Sequence, residues 1–125
     1  MINLNIIEKV KQELHLTKEQ SDRYLPVLKK IDLFLEKNRI FFAENNLLAF
    51  TAHTITLFTR LETGEKVAGI DEEVLSQLDP GAIAMTRELM DIIEKSYGVA
   101  DEAEMVLAAI HIQTALEMMQ EGRGI

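Results

Sequence analysis

The sequence has 125 residues, 47% of them hydrophobic, which is enough for one domain around a single core without covalent staples. Thirteen Lys and Arg against twenty-one Asp and Glu leave a formal charge of −8, and that argues against direct nucleic-acid binding, because phosphate backbones are held by clustered cations. Cysteine is absent, so disulfides and thiolate metal sites are excluded. No apolar run approaches about eighteen residues and no basic-then-apolar leader opens the chain, so neither a membrane span nor a signal peptide is expected and the cytoplasm is the expected location.

In chain order, Ile2 to Leu14 places Leu4, Ile7, Val10 and Leu14 at three- and four-residue steps, the stripe of a short amphipathic helix. Thr17 to Gln20 reads as a capping box opening a long helix, in which Leu25, Leu28, Ile31, Leu35 and, further on, Phe42 keep helical spacing. Pro26 predicts a kink near Tyr24 or a fresh start, since proline lacks an N–H and clashes with the preceding turn.

Asn45 and Asn46 read as a break and cap before a helix over Leu47 to Leu61, which Gly64 ends. Its predicted buried face is Leu47, Phe50, Thr54, Leu57, Phe58 and Leu61, with His53 on the flank. Four threonines favour sheet locally, but length and spacing favour helix. A short helix follows Asp71. Asp79-Pro80 then opens a helix through Tyr97, with Ile83, Leu89, Ile92 and Ile93 inward and Gly98 as its stop.

The last helix begins with Asp101 to Glu104, a second capping-box pattern, and Gly122 is its predicted stop. From Met105 to Ile112 every side chain except His111 is hydrophobic, so this helix reads as central and buried. No period-two strand pattern or repeat competes. The chain reads as four substantial helices and two shorter ones, and the fold class expected is an all-α antiparallel bundle built on about five of them, with residues 1–125 forming one domain.

Motifs for chemistry are few. The residues three before His15, His53 and His111 are Gln12, Phe50 and Ala108, so the Glu-x-x-His pairs of a di-iron bundle are missing. Metalloprotease, P-loop and hydrolase signatures are also missing, and no cofactor, metal or enzymatic activity is expected. Two readings of His111 and His53 stay open. One is a core imidazole satisfied by a neighbouring polar group. The other is a nucleophile, because an apolar setting keeps an imidazole neutral with a lone pair free to take a phosphoryl group. His15 reads as an exposed linker residue.

Ile83 to Leu116 carries a resemblance. IAMTRELMDIIEKSYGV followed by DEAEMVLAAIHIQTAL is similar to the helix, glycine turn and Glu-x6-His-Ile helix of the PRD, the phosphotransferase-system regulation domain. Glu104 and His111 match that motif. Phe50 to Arg60 resembles the family's first motif, with His53 in the histidine position and Arg60 seven residues on. The chain departs from the family at Ala52, where an acidic residue commonly precedes the first histidine.

The resemblance implies a regulatory domain whose His53 and His111 accept a phosphoryl group from phosphocarrier HPr or an enzyme II component, with Arg60 and Glu104 supporting them. It also implies a homodimer. PRDs usually occur in tandem behind a nucleic-acid-binding module, so a free-standing copy is expected to act on a partner. The alternative is a structural or adaptor bundle without phosphorylation, and a small-molecule-binding bundle comes third. Arg60 lies about 10 Å along its helix from His53 by the helical rise, and Glu104 stands as far from His111. The two motifs can therefore lie side by side in opposite directions.

Overall fold

The computed structural model describes residues 1–67 and 69–123, with side chains through Gln120. Six helices follow in order: α1 Leu4–Glu13, α2 Lys18–Lys37, α3 Glu44–Thr63, α4 Glu72–Ser76, α5 Pro80–Tyr97 and α6 Glu102–Arg123. No strand is present among the described residues. The chain is an all-α helical bundle.

The side chain of Asn3 caps α1 by accepting from the amide of Ile6. The helix buries Ile6 and Val10 against α3 and leaves Leu4 74% exposed, so its inward face is rotated from the predicted stripe. Thr17 and Gln20 close the predicted capping box at the start of α2, each side chain satisfying the other's backbone N–H. Pro26 does not start a new helix. Lys18–Lys37 is continuous around it, and only the bond that a residue 26 amide would give to the Asp22 carbonyl is forfeited.

The predicted stripe is corrected at Phe42. α2 stops at Asn38, and Arg39 turns into the left-handed region at φ 54°. The amides of Arg39 and Ile40 then bond back to the carbonyls of Glu36 and Leu35, a Schellman stop that a glycine usually marks. Phe42 lies in the link beyond it and stacks on Phe50 with ring centroids 4.8 Å apart.

Helix α3 starts earlier than its two asparagines suggest. Ala43 occupies the N-cap without a side-chain bond, its carbonyl accepting from Leu47, and Asn45 and Asn46 lie inside the first turn. The threonines do not undo the helix, because Thr54, Thr56, Thr59 and Thr63 each donate to the carbonyl four residues back. Gly64 ends it at φ 76°, a conformation that costs glycine nothing.

Pro80 sits at the first position of α5, as its missing N–H allows. Buried from this helix are Ala82, Thr86, Leu89, Met90 and Ile93, whereas Ile83 and Ile92 are half-buried. The core runs through all the longer helices, with Tyr24, Leu28, Ile31, Leu35, Phe50, Phe58, Leu89, Ile93 and Ile112 among its most enclosed members. Each such side chain contributes roughly 1.5–3 kcal/mol by leaving water.

Helix α6 packs on α5 and α3 and buries Met105, Val106, Ala108, Ala109, Ile112 and Ala115. Its alanines let the neighbouring helices approach closely. It is not enclosed all round: Ile110, Thr114 and Met118 form an exposed strip. Gly122 does not stop it, since the helix continues to Arg123.

Candidate functional site: a histidine pair between α3 and α6

Helices α3 and α6 run antiparallel, and that direction brings the two motifs into register end to end. His53 meets His111 with ring centroids 5.0 Å apart and planes tilted by 34°. Seven residues along each helix, Arg60 meets Glu104. Arg60 Nε and the terminal guanidinium nitrogen donate to the two carboxylate oxygens at 2.8 and 2.7 Å.

This fork corrects the capping-box reading of Glu104. Its carboxylate is turned across the helix interface to Arg60, and Asp101 directs its own carboxylate to Lys66 at 3.2 Å. Glu104 is 3% exposed, so the bidentate geometry supplies what burial of its charge requires. The same hydrogen bonds hold Arg60 firmly protonated, its pKa raised above the usual range.

Both imidazoles are half-buried on one face. Burial pushes the His53 pKa down to about 4, helped by the neighbouring His111 and then by the Arg60 cation, while Glu104 opposes the shift. Burial lowers that of His111 as well. Each ring is therefore neutral near pH 7, with one nitrogen lone pair available. Nε2 of His53 is enclosed and has no hydrogen-bond partner among the described residues.

Phe50 was not singled out as a site residue in the sequence. It presents its ring edge-on to His111 at 6.2 Å and, with Phe42 stacked behind it, walls one side of the pair. The available signal was its place one helical turn before His53. Ala52, where an acidic residue was expected, leaves His53 without a carboxylate from the adjacent position. His15 lies apart, exposed in the turn between α1 and α2 at φ 54°.

Among the described residues, no three His, Asp or Glu side chains come together in a way that could hold a metal ion. No described helix is long and apolar enough to cross a membrane.

The bundle sets two neutral histidines against each other across antiparallel helices, with an Arg–Glu fork seven residues away along each. Residues 28–120 match the family model of the PRD domain, and the chain belongs to that family. No curated protein and no solved structure matches it. The family is regulatory rather than catalytic and carries phosphotransferase-system regulation.

Proposed function

We propose that this chain is a phosphohistidine-accepting regulatory domain of the bacterial sugar phosphotransferase system, with His53 and His111 as its acceptors and Arg60 and Glu104 supporting them. The pairing of the two neutral rings on one half-buried face carries this reading. A neutral imidazole offers the attacking lone pair, and partial exposure admits the donor. Phosphorylation adds about 1.5 to 2 negative charges to a face that had none, which makes it a switch without turnover.

HPr or a sugar-specific enzyme II component is the donor in this reading, and both place the domain in the cytoplasm. The output is a change in how the chain associates with a second copy or with a protein that controls transcription. Nothing in the charge of the domain favours direct nucleic-acid binding.

Incubation with phosphoenolpyruvate, enzyme I and HPr, then with an enzyme II component, tests the proposal by intact mass at alkaline pH. Acid-labile phosphoryl mass that maps to His53 or His111, and not to His15, is the expected result. An unmodified chain beside fully active donors would remove the reading.

A further inference from the structure

We propose that His53 and His111 form a single phosphoryl site, which holds one group per chain while the unmodified imidazole becomes its protonated counter-ion. The inference rests on the phosphorylation reading above and fixes its stoichiometry.

The geometry points there. With centroids 5.0 Å apart, neither ring can carry a phosphate outside the electrostatic reach of the other. A second phosphate would set two near-dianions side by side in a half-buried, low-dielectric setting. The cation nearest in the motif cannot relieve them. Arg60 is committed through both its donors to Glu104, a motif length away along the helices. The ionisable groups acting on His53 are His111, Arg60 and Glu104, and the last two neutralise one another. Phe50 sets hydrocarbon against His111, with Phe42 stacked behind it.

The same proximity makes the partner ring useful. Its neutral state follows first from burial, and a dianion arriving beside it reverses the balance in favour of the imidazolium. Enclosed Nε2 of His53 has no other described partner to give up.

In the transfer, the phosphorus–nitrogen bond of the donor breaks as the lone pair of the acceptor nitrogen forms a new one. The donor imidazole leaves with the electron pair and takes up the proton shed by the other nitrogen of the acceptor ring. The proton that completes the counter-ion comes from water, so no further reactant is required.

The test uses the full chain, phosphorylated to saturation by phosphoenolpyruvate, enzyme I, HPr and an enzyme II component. Intact mass counts phosphoryl groups, and proton–carbon NMR follows the titration of the imidazole left unmodified. The expected result is saturation at one group per chain, with the remaining ring's midpoint raised by about one unit or more, a tenfold gain in proton affinity. Two groups on one chain overturn the inference and leave the phosphorylation reading standing. So does one group beside a ring whose midpoint has not risen. No group at all removes the phosphorylation reading and this inference with it.

Discussion

Arg60 and Glu104 share two hydrogen bonds of 2.8 and 2.7 Å across the α3–α6 interface, and the carboxylate is almost wholly enclosed. The fork closes one end of the helix pair, and the histidine face lies about two turns further in, at the middle of both helices. Removing only Glu104 leaves a largely buried guanidinium unpaired. Glu104→Ala should therefore cost about 3 kcal/mol, and Arg60→Leu with Glu104→Leu much less, because the doubly apolar pair leaves no uncompensated charge. Urea denaturation of the three proteins at neutral pH measures both differences. Equal losses in single and double variants would show that packing, not charge, holds this end.

Acid should weaken the fold earlier than carboxylate titration alone predicts. An unfolded chain protonates His53 as the pH falls through about 6.5, whereas the folded ring waits until about 4. Between those values the unfolded state binds more protons, so stability declines as pH declines, and the loss is complete below the folded value. His111 adds a slope of the same sign. His53→Gln should flatten the stability profile across this window, as urea midpoints over the same pH range would reveal.

At residue 39 a side chain occupies backbone space that suits glycine. Arg39→Gly keeps the Schellman stop of α2 and relieves a left-handed β-carbon, which predicts a gain of about 1 kcal/mol. A thermal melt without an upward shift would mean that the Arg39 side chain makes contacts worth as much as the strain.

Tyr24 is fully buried, and its hydroxyl donates to Glu62 and lies 3.2 Å from that of Thr59, clasping α2 to α3. Arg23 takes the same carboxylate from the solvent side, and burial together with Glu62 raises the Tyr24 pKa. Tyr24→Phe keeps the ring against Phe58 and should cost about 1 kcal/mol, the net worth of the lost hydrogen bonds. Calorimetry of the variant decides it. A neutral result would place the strength of the clasp in Arg23 instead.

The proposed homodimer gives a fourth kind of measurement. Ile110 and Met118 leave apolar side chains exposed on α6, the helix that carries His111, at 39% and 42% exposure. His53→Asp and His111→Asp should each shift the association constant seen in analytical ultracentrifugation over a dilution series. Three superimposable curves, or a monomeric wild type at high concentration, would remove the association switch.

Much of this architecture was legible in the chain because its signals are local. The Thr17 box, the Gly64 and Gly98 stops and the Pro80 start each act within one turn, and each sits where spacing put it. The side-by-side arrangement of the two motifs was open to the sequence too, since equal seven-residue offsets let opposed helices pair His with His and Arg with Glu. What stayed hidden depended on a residue standing in for another. Arg39 does the work of a glycine, so Phe42 reads as a continuation of α2. Ala43 takes the N-cap position with no side chain able to cap, so α3 reads as starting too late. Glu104 looks like a cap in sequence because the cation that claims it is 44 positions away.

The α4–α5 corner contains a built-in reporter of how α6 is seated. The amide of Asp79 gives its hydrogen to Gln113 Oε1 at 2.6 Å, and Gln113 Nε2 donates in turn to the Gln77 carbonyl. This amide precedes α5, so no bond within that helix shields it. Its exchange with deuterated solvent is governed by a side chain two residues from His111. The lifetime of that one proton therefore reads out how α6 is seated against the α4–α5 corner, without any label being placed there.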